Sequence, residues 1–117
     1  MSFKFQDSII YEQVLAFTKD IYDLTGKLPV YEQPGLITSL RSLASSMLTD
    51  LAAGYTRAST LDPQTSVHSC IEKVAKTAAL VDLCSSLGYL TKDGHSYWLL
   101  SCEDLTKRLY EHLKSSK

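Results

Sequence analysis

From Gly35 to Gly54 the chain reads Gly-Leu-Ile-Thr-Ser-Leu-Arg-Ser-Leu-Ala-Ser-Ser-Met-Leu-Thr-Asp-Leu-Ala-Ala-Gly, a helical pattern that carries two apolar rows. Leu36, Leu40, Leu43, Met47 and Leu51 form one row, and Ile37, Ala44, Leu48 and Ala52 form the row beside it. Ser39, Ser42, Ser45, Ser46 and Thr49 fall between them, small enough to let neighbouring backbones come close. Such a helix has more apolar surface than one packing partner covers, so it is expected to be the central, most buried helix and to point to assembly. Pro34 suits a first helical position, where its missing amide would have had no partner, so the helix is expected to begin near residue 34 and to stop at Gly54.

Three further helical segments flank it. Ile10, Val14, Phe17, Ile21 and Leu24 recur at spacings of four and three, which puts them on one side of a helix spanning about 8 to 25. Asp7 is expected to cap its first turn, and Gly26 to end it in left-handed geometry. Asp62 and Pro63 start a third helix running to about residue 87, with Val67, Ile71, Val74, Ala78 and Val81 inward and Cys70, Ala75, Cys84 and Leu87 widening the stripe. Trp98, Cys102, Leu105, Leu109 and Leu113 mark a fourth, expected to start before Trp98. The Lys92-Asp93-Gly94 turn signal between Tyr89 and Trp98 leaves a small hairpin as the alternative there.

Four amphipathic helices with short connections bury their stripes most simply as an all-α, antiparallel up-down-up-down four-helix bundle. A length of 117 residues suits one domain, 1–117. The net charge of -1 and pI of about 6.3 give no cationic field to gather phosphate backbones. Cys70, Cys84 and Cys102 are odd in number and each lies in an apolar pattern, as expected of reduced, buried thiols in a cytoplasmic protein. No run of about 20 apolar residues would cross a membrane.

Chemistry-bearing groups are scattered. His68, His95 and His112 lie in three segments with no metal-ligand spacing, and no motif calls for a cofactor. The serines lack a nucleophile-elbow context, and no glycine-rich phosphate loop exists, so the expectation is a protein that is not an enzyme. Arg41 and Asp50 are the charged residues of the second helix; nine positions apart, about 900° of rotation, they emerge on opposite faces and need separate partners. Arg41, Asp50, Arg57, Leu40, Met47 and Tyr55 are therefore the candidate interface or structural residues. Lys73, Lys76, Lys107 and Arg108 are the candidate nucleic-acid contacts, a disfavoured partner class because acidic residues dilute them. Tyr31, Tyr55, Tyr89 and Tyr97 flank helix ends, where a ring packs and its hydroxyl stays wet, so bundle ends and subunit seams are expected recognition surfaces.

The order of several short segments resembles a known family. They are Tyr11-Glu12-Gln13-Val14-Leu15-Ala16-Phe17, Leu28-Pro29-Val30-Tyr31-Glu32-Gln33-Pro34-Gly35-Leu36, Leu40-Arg41, Ala44-Ser45-Ser46-Met47, Leu51-Ala52-Ala53-Gly54, Arg57-Ala58-Ser59 and Leu87-Gly88-Tyr89-Leu90. Over about residues 3 to 113 the chain is similar to the bacterial four-helix-bundle family that includes the proteins encoded by intervening sequences in large-subunit ribosomal RNA genes. The same family includes the accessory variability determinant of diversity-generating retroelements. The resemblance implies a barrel-like homo-oligomer, a pentamer, and for the basic retroelement member association with a reverse transcriptase and nucleic acid. Gly35, Leu40, Arg41, Ala44, Ser46 and Gly54 fall on the family pattern; a second arginine of that pattern is Ser42 here. The expected role is a non-enzymatic interaction or scaffold protein, an accessory to another macromolecule, with a nucleic-acid-binding accessory module as the alternative.

Overall fold

The computed structural model describes residues 3–56 and 63–115. It contains four long helices, α1 (Ile9–Thr25), α2 (Thr38–Gly54), α3 (Pro63–Ser86) and α4 (Lys92–Ser115), and no strand among the described residues. The particle measures 44 × 25 × 23 Å, its long axis set by the 24-residue helices α3 and α4, each about 36 Å long.

Ser8 rather than Asp7 caps α1, its hydroxyl accepting from the Tyr11 amide at 3.4 Å; Asp7 ends a short 3-10 turn, Lys4–Asp7. The expected stripe is the buried face: Ile10, Val14, Phe17, Ile21 and Leu24 all point inward. At the other end Gly26 is right-handed (φ -64°), so this glycine does not end the helix by conformation. Pro29 follows in extended geometry, which no helix continues through.

The approach to α2 corrects the expected start near residue 34. Gln33–Ile37 form a wide π-type turn in which Gly35 leaves helical geometry (φ -119°, ψ -105°), and the regular ladder begins only at Thr38. Pro34 lacks an amide, and the interruption at Gly35 absorbs the change of direction. Leu40, Ala44 and Met47 are fully buried and Leu51 nearly so, with Leu43 and Leu48 half-buried on either flank. Both rows of α2 therefore meet helices of the same chain: α1 on one flank and α3 on the other.

On α3 the inner face is centred on Val67, Cys70, Val74, Thr77, Val81 and Cys84. Ile71 and Ala78 are only half-buried, and Ala75 and Leu87 are exposed, so the stripe is turned toward the cysteines relative to the expected one. Thr77 enters this core because its hydroxyl is satisfied locally, donating to the Lys73 carbonyl at 2.9 Å. The helix ends at Gly88, whose φ of 83° lets the Tyr89 amide reach the Cys84 carbonyl at 2.9 Å and its own amide reach Ser85 at 3.0 Å. The expected Asp62 cap lies outside the described residues.

Helix α4 starts at Lys92, before Trp98 as expected, and the hairpin alternative is not formed. Thr91 caps it, its hydroxyl accepting from the Gly94 amide at 3.0 Å, and Asp93 lies in the positive first turn. Trp98, Cys102, Leu105, Leu109 and Leu113 are buried as the spacing predicts. Trp98 meets Phe17 of α1 edge to face, with ring centroids 6.0 Å apart. Of the seams between neighbouring helices, α1 with α4 is the most sparsely packed. No helix among the described residues is long and apolar enough to cross a membrane.

Candidate functional site

The two charges of α2 find their partners on opposite sides, and both partners are within the chain. Arg41 extends toward α1, where Nε donates to Thr25 Oγ1 at 2.7 Å and Nη2 to the Tyr22 carbonyl at 3.4 Å. Its guanidinium carbon lies 4.5 Å over the centroid of the Tyr22 ring. Helix α1 has no basic residue in its own last turn, and Arg41 places a cation at that negative end from the neighbouring helix. The partner is thus a helix terminus and a ring instead of a carboxylate.

Asp50 faces α3. Its Oδ2 accepts from Ser69 Oγ at 2.9 Å and pairs with the Lys73 ammonium, which also donates to Ser46 Oγ at 2.6 Å. Both charged side chains are about one-fifth exposed (19% and 23%), so water screens the pair only in part. Lys73, one of the expected phosphate contacts, is therefore committed to an intramolecular clamp between α2 and α3. Arg108 is also engaged, through Nε to Asp104 Oδ2 at 2.8 Å on the exposed side of α4. Lys76 and Lys107 are exposed.

Leu40 and Met47 are enclosed within this chain, at 0% exposure. Tyr55 closes the C-terminus of α2, half-buried, and lines a cleft of about 330 Å³ together with Phe3, Phe5 and Ala52. Arg57 lies outside the described residues.

The three thiols are free and buried. Burial, and after it the negative charge of Asp50, pushes Cys70 up to about 12. Burial and Glu103 push Cys102 up to about 11, and burial with Glu32 also raises Cys84. All three are held as neutral thiols near pH 7, the unreactive form. Among the described residues no group of three or more His, Cys, Asp and Glu side chains is arranged to hold a metal ion.

Other arrangements follow from packing and carry no local sequence signal. Tyr89 OH donates to Glu32 Oε2 at 2.7 Å and lies 3.2 Å from Tyr31 OH, tying the α3–α4 connection to the segment before α2. These bonds, that to Tyr31 first, hold the Tyr89 phenol above its ordinary range. His95 Nε2 lies 2.7 Å from Asp82 Oδ1, linking the first turns of α4 to α3. Along the outside of the α3–α4 seam runs an apolar groove of about 390 Å³, floored by Val74, Ala78 and Cys102, walled by Leu99 and Thr106, with Lys107 at its rim. Leu83, Tyr97, Leu100 and Tyr110 add exposed apolar surface on the same two helices, and Leu87 adds more just past the end of α3.

Residues 6–111 match the family model described as 23S rRNA-intervening sequence protein. No curated protein and no solved structure gives a match.

Proposed function

Because the chain belongs to the 23S rRNA-intervening sequence protein family, we propose that it works by association, as a non-enzymatic scaffold or accessory protein whose unit is one up-down-up-down four-helix domain assembled into a homo-oligomer. The observation that carries this reading is the apolar α3–α4 groove, together with the exposed leucines and tyrosines elsewhere on those two helices. The core row of α2 is used inside the chain, which leaves exposed apolar surface of the outer helices to drive self-association. Contacts running Thr18 to Ala44 and Thr25 to Arg41, then Met47 to Cys70 and Ser46 to Lys73, support antiparallel neighbours. The pentameric, barrel-like state is what the resemblance described above implies, and a cytoplasmic setting is the one that three free cysteines suit.

Light scattering at micromolar concentration tests it, with an expected mass several times 13.0 kDa. Ala75→Glu places a charge in the groove at an exposed helical position and should lower that mass while leaving the helical signal intact. A monomer at every concentration overturns the proposal.

The alternative is a nucleic-acid-binding accessory to reverse transcription. Exposed Lys76 and Lys107 favour it, while the pairing of Lys73 with Asp50 and of Arg108 with Asp104 weakens it. An RNA or DNA probe that fails to bind at about 50 mM salt, where the phosphate contribution is largest, removes it.

A further inference from the structure

Helix α4 carries a second seam on its outer side. Ser96, Leu100, Glu103, Lys107, Tyr110 and Lys114 recur at spacings of four and three, and every one of them is exposed. That period is the one at which two helices pack along their length, yet the chain itself lays no helix on this row. Glu103 and Lys107 also line the apolar α3–α4 groove, so the row continues the surface assigned above to self-association. We propose that a second copy of the chain docks here with its own α4 antiparallel, about a twofold axis passing between Glu103 and Lys107. The contact rests on the self-association proposed above and gives it a partner surface and a register.

Charge complementarity sets the direction. In the antiparallel register Glu103 meets the second copy's Lys107, Leu100 meets its Tyr110, and each contact occurs twice. A parallel register would set Glu103 on Glu103 and Lys107 on Lys107, like charge against like. Both charges are available. Asp104 and Arg108, one position further on at the same spacing, pair within the chain at 2.8 Å. Neither Glu103 nor Lys107 has a hydrogen bond or ion pair to a described residue. Leu100 and Tyr110, 63% and 50% exposed, flank the charged centre with apolar area, and the row from Ser96 to Lys114 runs about 27 Å. A twofold contact is complete with two copies, whereas neighbours around a ring of five meet head to tail. The α4 contact therefore doubles the unit that carries it, whether a chain or a ring, and gives an even number of copies.

Charge reversal tests it, read as particle mass by light scattering of the full chain across micromolar concentrations, with circular dichroism as the check on folding. Glu103→Lys and Lys107→Glu each set like charges against each other twice across the axis. Each should halve the mass and raise the dissociation constant of the doubled particle by about tenfold or more. Both reversals in one chain recreate opposite charges across the axis and should restore the mass. An equimolar mixture of the two single variants should restore it as well, which no pairing within a chain can do. If a single reversal loses its helical signal, Leu100→Ser and Tyr110→Ser take its place, each expected to lower the doubled fraction. An odd-numbered parent particle, or an even one whose mass neither reversal changes, overturns the contact and leaves self-association standing. Loss of mass that neither the double variant nor the mixture recovers overturns the antiparallel register. A parent that is monomeric at every concentration overturns the contact and the self-association together.

Discussion

Arg41 Nε and Thr25 Oγ1 lie 2.7 Å apart across the α1–α2 seam, and Thr25 in turn donates to the Ile21 carbonyl at 2.8 Å. The last turn of α1 is thus closed by a threonine of its own and an arginine of its neighbour. Arg41→Ala removes a charge-assisted hydrogen bond and a ring contact, and should lower stability by about 1 to 2 kcal/mol in urea unfolding. Arg41→Lys, which keeps the charge but loses the fork, should recover only part of it. An unchanged midpoint in the alanine variant would show that water closes the helix end equally well.

The Asp50 and Lys73 pair makes a quantitative claim of its own. Asp50→Asn, Lys73→Met and the double variant form a cycle whose coupling should be about 1 kcal/mol, the upper end for partly screened pairs. Because Ser46 and Ser69 remain as partners, each single loss should stay below that of an orphaned buried charge. Coupling indistinguishable from zero would make the contact incidental.

At Gly54 the backbone is not left-handed; the glycine is needed for space. A Cβ there would lie 3.1 Å from Ser66 Cβ, 3.3 Å from Pro63 Cα and closer still to Ser66 Oγ. Alanine is the better helix former by about 1 kcal/mol, so a net destabilisation by Gly54→Ala would isolate the steric cost. We expect a loss of about 1 to 3 kcal/mol in thermal or urea unfolding, partly recovered by Ser66→Ala.

The buried thiols set an alkaline limit. Their folded values are raised from 9.0, to about 12 for Cys70 and about 11 for Cys102, so the folded state holds protons that the unfolded chain releases. This contribution to stability is whole below pH 9 and declines as pH rises from there toward the folded values. Urea midpoints should therefore fall between pH 8 and pH 10.5 by more in the native chain than in Cys70→Ala with Cys102→Ala. A thiol reagent should label the folded chain slowly at pH 8 and rapidly in denaturant; fast labelling of the native protein would contradict the burial described.

Periodicity made the cores of α1 and α4 legible, since every residue of Ile10, Val14, Phe17, Ile21 and Leu24, and of Trp98 to Leu113 at the same spacings, is buried. It misplaced the face of α3 because Ile71 and Ala78 compete with Cys70 and Thr77 for the same arc, and only the packing of α2 and α4 decides between them. Lys92-Asp93-Gly94 looks like a turn, yet Thr91 caps that amide and outweighs the helical cost of Gly94. Arg41 and Asp50 were visible as charges in need of partners. Which partners they take is a property of helices 16 to 23 residues away in the chain, beyond the reach of any local pattern.

Arg41 fastens one side of α2 and Asp50 the other, nine residues further along. Between them the apolar rows are nearly uniform, and leucine, alanine and methionine would tolerate a slip of one turn, about 5.4 Å, with little loss of burial. The two polar contacts would not: a screw motion of α2 that preserved one would break the other. The middle helix is thereby indexed against both neighbours, and freedom to adjust is left to the loosely joined edge where α1 meets α4.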